Sequence, residues 1–324
     1  MDKTTYTRDD FTNQAEVRWC PGCGDYAILA AFQRLLPQLG LAPEKHVVVS
    51  GIGCAGRFPY YMNTYGFHTI HGRATAVATG LKAMREDLCV WVVTGDGDAL
   101  SIGGNHLIHC LRRNVNIKIL LVNNQVYGLT KGQFSPTSPK GQITKTSPQG
   151  VMVEPLNPIL LALAAGASFV ARAVDKDPNQ LTAVLKAAYE HPGCALVEIY
   201  QDCHIFNEGA FDDFSLKTNR SENTISLQQD KPMVFGAESQ WALARQGDTF
   251  ERVASSDANV LCHDSHNVLA AMGLASLTFP AFPVPLGIYY QKEREVFNLT
   301  GTVNKSLDDL SALYKGKSSW QQES

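Results

Sequence analysis

Short apolar runs alternate with amphipathic segments between residues 26 and 200. Apolar runs of strand length predict buried strands at residues 47–49, 88–94, 117–122, 168–174 and 195–200. Apolar positions at helical spacing, or stretches rich in Ala, Leu and Met, predict helices at residues 26–39, 74–85, 105–111, 157–165 and 179–190. Parallel strands need a crossover connection, which is usually a helix. The alternation therefore predicts an α/β fold: a doubly wound, mostly parallel sheet with helices on both faces.

The hydrophobic pattern changes after about residue 205. Residues 211–232 are polar and predicted to be irregular, and residues 280–285 hold three prolines in a weakly patterned apolar stretch. We expect three segments: a polar N-terminal arm at residues 1–18, the α/β domain at residues 19–207, and a C-terminal extension at residues 208–324. The extension is expected to pack on the core or on a partner subunit, and residues 315–324 are expected to be frayed.

Charge and composition exclude several classes of protein. The chain has 28 Lys and Arg against 31 Asp and Glu, and no basic tail that would indicate a nucleic-acid partner. Neither an apolar signal-peptide stretch nor a run of about 18 apolar residues is present, so we expect no membrane span and a cytoplasmic location. Eight cysteines are too few for a disulfide scaffold in a chain of 324 residues, which indicates reduced thiols, metal ligands or catalytic groups.

Two polar motifs follow neighbouring predicted strands. Gly-Asp-Gly-Asp at residues 95–98 follows one strand, and Asn-Asn-Gln-Val-Tyr at residues 123–127 follows the next. Ligands of such sheets bind outside the carboxyl ends of the strands, so a carboxylate and an amide are expected in adjacent loops. Mg²⁺ prefers oxygen ligands and is often held jointly by protein groups and phosphate oxygens, which glycines allow to approach the backbone. The motifs therefore predict a site for a magnesium-bound diphosphate.

Four cysteines are placed where they can converge. Cys20 and Cys23 are separated by two residues, and Cys54 and Cys203 each follow the end of a predicted strand. Four thiolates fit either Zn²⁺ or an iron–sulfur cluster, and spacing alone does not choose between them. A third interpretation is a thioredoxin-like dithiol, since Trp-Cys-Pro-Gly-Cys at residues 19–23 is close to that motif. No predicted strand precedes this segment, however, and the chain is much longer than a thioredoxin.

The other cysteines are weaker candidates. Cys89 and Cys110 fall in a predicted strand and a predicted helix, where small buried thiols are common. Cys194 precedes its strand rather than following it, which favours Cys203 as the fourth ligand. Cys262 and His263 begin a Cys-His-Asp-Ser-His stretch, and a surface turn is favoured there because no neighbouring residue completes a metal site.

Six motifs together resemble the β subunit of the 2-oxoacid:ferredoxin oxidoreductases, most nearly of the 2-oxoglutarate type. The resemblance covers residues 19–207. In chain order the motifs are Trp-Cys-Pro-Gly-Cys-Gly at 19–24, Gly-Ile-Gly-Cys at 51–54, His-Gly-Arg-Ala at 71–74, Gly-Asp-Gly-Asp at 95–98, Asn-Asn-Gln-Val-Tyr-Gly-Leu-Thr-Lys-Gly-Gln at 123–133, and the cysteine at 203. Gly-Asp-Gly alone is a weak signal, whereas six motifs in this order are specific. The resemblance implies thiamine diphosphate, Mg²⁺ and one [4Fe–4S] cluster, and it favours iron–sulfur over zinc.

The resemblance also implies roles for individual residues. The cluster ligands would be Cys20, Cys23, Cys54 and Cys203. Mg²⁺ would be bound by the side chains of Asp96 and Asn124 and by the backbone carbonyl of Val126, whose side chain can pack in the core at the same time. The cofactor would be lined by Ile52, Gly53, Cys54, Ala55, Gly95, Asp96, Gly97, Asp98, Asn124, Gly128 and Leu129.

Two further residues are candidates for contact with substrate. His71 resembles the pocket histidine that contacts thiamine and substrate in this family, and the alternative is a helix-capping or core histidine. Arg57 lies where many 2-oxoglutarate enzymes carry a cation, and its guanidinium can bind the distal carboxylate of 2-oxoglutarate through two hydrogen bonds. The alternative for Arg57 is an ordinary surface arginine.

A long loop at residues 134–150 is rich in Pro, Ser, Thr and Gly. Loops of this length are usually functional or disordered. Together with Lys131, its residues Lys140 and Lys145 are expected to close over the site or to contact coenzyme A phosphates or the partner. The alternative is a solvated surface loop.

The resembling family oxidatively decarboxylates a 2-oxoacid with coenzyme A, giving an acyl-CoA and CO₂, and passes electrons through the cluster to ferredoxin. For 2-oxoglutarate the product is succinyl-CoA, and the reverse reaction is a carboxylation. Thiamine activation needs a glutamate beside the aminopyrimidine ring, and no glutamate in the motif region has that position. In the resembling family the α subunit supplies it. We therefore expect an αβ or (αβ)₂ assembly and no activity from this chain alone.

Three alternatives remain open from the sequence. The same chemistry can act on pyruvate, indolepyruvate or another 2-oxoacid. A non-redox thiamine diphosphate lyase would share the motifs at residues 95–98 and 123–127 but would not need the cysteines at residues 19–24. A zinc-stabilised scaffold subunit would need the cysteines without the cofactor. No closely spaced run of cysteines indicates a further cluster in the extension.

Overall fold

A computed structural model describes residues 5–247 and 249–298 of the chain. The helices are α1 Asp25–Leu35, α2 Ala74–Met84, α3 Asp96–Leu100, α4 Gly104–Arg113, α5 Pro158–Ala164, α6 Pro178–Glu190, α7 Asp212–Ser215, α8 Lys217–Asn223 and α9 Val268–Ala275. Short 3₁₀ helices cover Arg8–Phe11, Leu36–Leu39, Pro43–Lys45 and Ala55–Tyr61. The strands are β1 His46–Ser50, β2 Tyr65–His68, β3 Cys89–Gly95, β4 Lys118–Asn123, β5 Phe169–Val174, β6 Ala195–Tyr200, β7 Thr224–Leu227, β8 Val234–Phe235, β9 Trp241–Gln246, β10 Thr249–Ala254 and β11 Val284–Gln291.

The main sheet confirms the predicted α/β fold. Within the described residues it has eight strands in the order β2-β1-β3-β4-β6-β5-β11-β7. All neighbouring pairs are parallel except β5 and β11, which are antiparallel. The strands predicted at residues 47–49, 88–94, 117–122, 168–174 and 195–200 all form, with bounds shifted by one residue or less.

Successive side chains of each central strand pack into two different cores. Val47 and Val49 of β1 pack in a core with α2, α4, α5 and α9, whereas Val48 packs in a second core with α1 and α6. In β3, Val92 belongs to the first core and Trp91 to the second. Because side chains alternate between the faces of a strand, each face of the sheet is covered by its own helices. The sheet is therefore doubly wound, as predicted.

Helix ends follow local capping chemistry. The Asn157 side chain accepts hydrogen bonds from Ile159 N and Leu160 N, and Pro158 occupies the first turn of α5. Asp177 caps α6 in the same way. These residues satisfy amide groups that have no partner within the helix. The helix predicted at residues 26–39 ends earlier, at Leu35, and continues as a 3₁₀ helix that contains a proline.

The prediction of irregular structure over residues 211–232 is wrong. This segment contains α7, α8 and β7. Phe211 and Phe214 pack against Tyr200 at the end of β6, so residues distant in sequence stabilise the short helices. The local sequence pattern does not show that these side chains contact a distant strand, which is why the segment was predicted to be irregular.

The weakly patterned stretch at residues 280–285 leads into β11, which lies between β5 and β7 in the main sheet. Strands β8, β9 and β10 form a separate antiparallel sheet.

The N-terminal segment packs on the domain, because Phe11 is fully buried and Asn63 N donates a hydrogen bond to Phe11 O. The expected fraying of residues 315–324 lies outside the described residues. No helix within residues 5–247 and 249–298 combines the length and apolarity needed to cross a membrane.

Candidate functional site

The loops after β1, β3, β4 and β6 meet at one edge of the sheet, because these strands are parallel neighbours. Two cavities adjoin there. The carboxylate cavity, of about 130 Å³, is lined by residues that include Asp96 and Asp98. The thiol cavity, of about 160 Å³, is lined by residues that include the four candidate cysteine ligands. The cavities share a wall formed by Cys54, Asn124, Gly128 and Leu129.

The carboxylate cavity contains every residue predicted to hold magnesium or line the cofactor. These residues are Ile52, Gly53, Cys54, Ala55, Gly95, Asp96, Gly97, Asp98, Asn124, Val126, Gly128 and Leu129. His71, predicted to contact substrate, lies there as well. The motifs were separated in sequence, and the parallel register of the strands brings them together.

Asp96 is buried at the start of α3, directly after β3. One carboxylate oxygen, Oδ2, accepts hydrogen bonds of 2.5 Å from both Ser135 Oγ and Thr137 Oγ1. Burial raises the pKa of Asp96, and the two hydroxyl groups act against that rise. A divalent cation beside this carboxylate would offset the cost of burying its charge. The donor chemistry therefore fits Mg²⁺.

The backbone after β4 turns sharply at Gln125, whose φ of 57° lies in the left-handed region. This turn places the Asn124 Oδ1 atom 3.2 Å from Val126 N, which donates to it. Asn124 Nδ2 donates to Gln201 Oε1 at 2.9 Å. Both the Oδ1 and the Nδ2 atoms of Asn124 are therefore hydrogen bonded, which fixes the orientation of this side-chain amide at the wall between the two cavities.

Asp98 joins the loops around the carboxylate cavity. Its Oδ1 accepts from Ile52 N at 3.1 Å and Gly72 N at 2.8 Å, and its Oδ2 accepts from Thr94 Oγ1 at 2.7 Å. A Cβ atom on Gly51 would lie 1.7 Å from Asp98 Oδ2, so only glycine leaves room for this carboxylate. Asp98 therefore fixes the shape of the cavity as well as lining it.

His71 is hydrogen bonded to Asp98 through Nδ1, and 43% of its side chain is exposed. Its ring stands edge-on to Tyr127, with 6.4 Å between the ring centroids. The Tyr127 hydroxyl donates to Gly97 O at 2.8 Å. The Asp98 contact orients the imidazole and leaves Nε2 as its other polar atom. This geometry fits a histidine that presents Nε2 to a ligand.

The four cysteines Cys20, Cys23, Cys54 and Cys203 come together around the thiol cavity, as expected. Cys23 N donates to Cys20 O, which closes the turn between the first two thiols. Trp19 Nε1 donates to Cys54 O at 2.8 Å and fixes the loop after β1. A Cβ on Gly128 would lie 3.4 Å from Cys203 Sγ and 3.7 Å from Cys54 Sγ, so glycine keeps this side of the cavity open.

Burial raises the pKa of the Cys54 thiol to about 12, with smaller effects from the nearby Asp25, Cys203 and Cys20. The pKa values of Cys23 and Cys203 are raised mainly by burial too. Thiols in such a site become thiolates when a metal centre compensates their charge. The set of four sulfur donors therefore fits a bound metal centre. Among the residues that the structure describes, no three His, Cys, Asp or Glu side chains are close enough to hold one single ion.

Sequence reasoning missed two polar residues that line these cavities, Asp25 in the carboxylate cavity and Gln201 in the thiol cavity. Asp25, the first residue of α1, is buried and lines the carboxylate cavity, and its Oδ2 has no hydrogen-bond partner within the described residues. Burial raises its pKa to about 7. Gln201, which follows β6, contacts both Asn124 and Cys23. An acidic residue in a first helical turn is ordinary, and a single glutamine gives no motif, so neither was conspicuous in the sequence.

Other candidates lie elsewhere. Arg57 lines the thiol cavity, where its Nη1 donates to Arg18 O at 2.8 Å, and it does not line the carboxylate cavity. Lys131 also lines the thiol cavity, whereas Lys140 pairs with Glu154 at 2.5 Å.

Of the remaining cysteines, Cys110 and Cys194 are buried with their sulfur atoms 3.8 Å apart. Cys262 is exposed. The neighbouring His263 is buried, and its Nε2 is hydrogen bonded to Ile288 O at 2.7 Å.

Comparisons with known proteins agree with this geometry. Residues 51–199 match the family model of the thiamine pyrophosphate enzyme C-terminal TPP-binding domain. The chain is 57% identical over 259 residues to the 2-oxoglutarate oxidoreductase subunit KorB of Mycobacterium tuberculosis, covering 79% of this chain and 69% of the relative. It is 42% identical over 221 residues to the 2-oxoglutarate synthase subunit KorB of Archaeoglobus fulgidus, and this match covers 67% of this chain and 82% of the relative.

A solved structure is similar over nearly the whole chain. It is a 2-oxoglutarate:ferredoxin oxidoreductase from Magnetococcus marinus with 2-oxoglutarate, coenzyme A and succinyl-CoA bound. The TM-score is 0.76 at 34% sequence identity, and the match covers 95% of this chain and 96% of the other. The identity to the mycobacterial subunit, over more than two thirds of each chain, establishes the family. This chain belongs to the β subunits of the thiamine diphosphate-dependent 2-oxoacid:ferredoxin oxidoreductases.

Proposed function

We propose that this chain is the β subunit of a 2-oxoglutarate:ferredoxin oxidoreductase. The reaction converts 2-oxoglutarate and coenzyme A into succinyl-CoA and CO₂, and two electrons pass one at a time to ferredoxin; the reverse reaction is a carboxylation. The observation that carries the proposal is the shared wall of the two cavities. It supports transfer of electrons over a short distance from a reaction in one cavity to an acceptor in the other.

In the carboxylate cavity, Asp96 and Asn124 would bind Mg²⁺ through their side chains and Val126 through its carbonyl. The buried carboxylate and the turn at Gln125 support this assignment. The other lining residues would surround the diphosphate and thiazolium groups. When bound, thiamine diphosphate supplies the nucleophile and electron sink for decarboxylation, and an iron–sulfur cluster supplies a one-electron acceptor.

In the thiol cavity, Cys20, Cys23, Cys54 and Cys203 would hold one [4Fe–4S] cluster. A tetrahedral zinc site draws four sulfurs to about 2.3 Å from one point, whereas a cluster spreads them over four irons. The arrangement of the thiols around a cavity of about 160 Å³ supports the larger group. Gly128 supports it too, because a side chain there would approach two of the sulfurs.

Substrate contacts are proposed for His71 and Arg57. His71 is oriented by Asp98 so that Nε2 can hydrogen bond to the substrate or cofactor. Arg57 is proposed to bind the distal carboxylate of 2-oxoglutarate. Because it lines the thiol cavity, a substrate that it holds has to extend along the wall shared by the two cavities.

Partner subunits complete the proposal. Among the described residues that line the carboxylate cavity there is no glutamate, so an α subunit would supply the glutamate for thiamine activation. Exposed apolar side chains near the cavity, Ile70, Ile102 and Leu129, support burial of this edge in an αβ or (αβ)₂ assembly. Residues 19–207 would form the domain that carries both cofactors, with an arm at 1–18 and an extension at 208–324. Unpaired cysteines support a cytoplasmic location.

The test is turnover by the anaerobically co-purified αβ complex. We expect reduction of ferredoxin with 2-oxoglutarate and coenzyme A, at a higher kcat/KM than with pyruvate or indolepyruvate, and no turnover by the isolated chain. Arg57→Ala should lower kcat/KM for 2-oxoglutarate more than for pyruvate. Activity of the isolated chain would contradict the proposed partner, and equal loss for both acids would contradict the role of Arg57.

A further inference from the structure

We propose that Gln201 is a positioning residue that links the two centres of the proposed enzyme. It would hold the magnesium ligand Asn124 in orientation and set the reduction potential of the cluster through Cys23. This inference rests on the proposed function, because it assumes a magnesium-bound diphosphate in one cavity and a cluster in the other.

The position of Gln201 is strongly constrained. It directly follows β6, its residue is 1% exposed, and its backbone N donates to Asn123 O at 2.9 Å. A Cβ on Gly24 would lie 1.9 Å from Asp175 Oδ2 and 3.0 Å from Gln201 Cγ, so the glycine after the Cys20–Cys23 turn leaves room for both side chains. A buried amide in such a position has few rotamers, and its partners are therefore specific.

The carbonyl end of the Gln201 side chain faces the magnesium loop. Its Oε1 accepts a hydrogen bond of 2.9 Å from Asn124 Nδ2. Because a side-chain amide has distinct donor and acceptor ends, holding Nδ2 on this side turns Asn124 Oδ1 to the other. The Oδ1 atom is the one that can bind Mg²⁺. Contacts of this kind orient metal ligands, and their loss typically weakens metal binding by about 10- to 100-fold.

The amide end of Gln201 faces the thiol cavity. Its Nε2 lies 3.3 Å from Cys23 Sγ and 2.5 Å from Asp202 O, so the two N–H groups have one acceptor each. A hydrogen bond to a ligand sulfur stabilises negative charge on it. Since reduction makes the cluster more negative, this bond favours the reduced state and raises the reduction potential. One side chain therefore acts on both centres.

The experiment compares variants of the holoenzyme, purified with its α subunit under anaerobic conditions. Gln201→Leu removes both contacts, whereas Gln201→Glu keeps an acceptor for Asn124 and replaces the donor to sulfur with a negative charge. Gln180→Leu is the control, because Gln180 is partly buried and donates to Arg172 O at 3.0 Å, away from both cavities. The readouts are the cluster midpoint potential, from EPR-monitored redox titration, and the affinity for Mg²⁺-thiamine diphosphate.

For Gln201→Leu we expect the ratio of reduced to oxidised cluster at a fixed ambient potential to be about tenfold lower than in the wild type. For a one-electron couple this is a decrease of about 59 mV in the midpoint potential. We also expect weaker binding of Mg²⁺-thiamine diphosphate. Gln201→Glu should lower the potential but keep most of the cofactor affinity. An unchanged potential in an iron-loaded Gln201→Leu enzyme overturns the inference. If Gln201→Leu does not assemble a cluster, the same potential is measured for Gln201→Asn, whose side chain is too short to reach Cys23. An unchanged midpoint potential in that variant likewise overturns the inference. A wild-type enzyme without a cluster instead contradicts the proposed function.

Discussion

The hydroxyl group of Thr137 lies 2.5 Å from the Asp96 carboxylate, although the two residues are 41 positions apart in the chain. Ser135 makes the same contact with the same oxygen atom. Both belong to the long loop that follows β4. The start of this loop is therefore part of the candidate magnesium site, which leaves only its later residues free to close over the cavity.

Thr137→Val should weaken the binding of Mg²⁺-thiamine diphosphate by about 10- to 100-fold, because Asp96 loses a hydrogen bond that orients it. Valine keeps the shape of the side chain, so the fold should be retained. The measurement is a cofactor titration of the apo αβ complex, followed by intrinsic fluorescence. Thr146→Val, at an exposed position in the same loop, is the control. Equal affinities for the two variants would refute the role of Thr137.

Gly51→Ala should abolish cofactor binding and lower the unfolding temperature. The new Cβ would lie 1.7 Å from Asp98 Oδ2 and displace the carboxylate that joins the loops around the cavity. Gly80→Ala is the matched control, since no atom lies within 4 Å of its added Cβ in helix α2. That change should stabilise the protein by about 0.5–1 kcal/mol. Thermal unfolding and cofactor titration together test the pair, and normal cofactor binding by Gly51→Ala would disprove the steric account.

The strands β1, β3, β4, β5 and β6 were predictable because their signals are local, whereas the short strand β2 was not predicted. Each central strand is a continuous apolar run, and the polar motifs stand directly at the strand ends. Strand β11 was missed because Pro285 and Gly287 interrupt its pattern, and its place between β5 and β7 depends on pairing with distant residues.

The candidate site likewise contains residues with local sequence signals and residues that depend on the tertiary fold. Its cysteines and its Asp96 and Asn124 could be found from spacing and resemblance. Thr137 and Gln201, which orient them, and Asp25, which lines the carboxylate cavity, could not be found in this way, because they reach the site only through the tertiary fold. Arg57 was expected beside the substrate because many 2-oxoglutarate enzymes of the resembling family carry a cation at this position. The 3₁₀ helix Ala55–Tyr61 places it at the thiol cavity, and its contact with substrate stays a prediction.

Glu198→Gln should destabilise the fold by roughly 3–5 kcal/mol, because it leaves the buried Arg172 guanidinium without its counter-charge. Arg172 Nε donates to Glu198 Oε2 at 2.7 Å, and Asn123 Nδ2 donates to Oε1 at 2.7 Å. Glu190→Gln, which breaks an exposed pair with Lys186, should change stability by less than about 1 kcal/mol. Chemical denaturation measures both. A similar small effect for the two variants would contradict the structural importance of the buried pair.

The titration of His46 should lower the stability of the fold as the pH decreases from 6.5 towards 4, whereas Asp25, whose pKa burial raises, acts in the opposite direction. Burial lowers the pKa of His46 from 6.5 to about 4 in the folded protein. Between these values the unfolded chain binds a proton that the folded chain does not, so lower pH favours unfolding. At pH 5 this linkage amounts to about 2 kcal/mol.

His46→Phe should therefore gain stability relative to the wild type as the pH decreases from 7.5 to 5. The stability of the variant should still depend on pH, because burial also lowers the pKa of His191 to about 4. Unfolding midpoints of both proteins across this pH range provide the test. A constant difference between them at every pH would show that His46 does not titrate in the proposed way.

The most direct test of the central claim is EPR spectroscopy of the anaerobic αβ complex before and after addition of 2-oxoglutarate, with Mg²⁺-thiamine diphosphate present and ferredoxin absent. We predict that the substrate generates the signal of a reduced [4Fe–4S] cluster, and that Cys203→Ser eliminates it. A complex that contains about four irons per β chain and bound cofactor, yet gives no reduced-cluster signal with 2-oxoglutarate, would contradict the account.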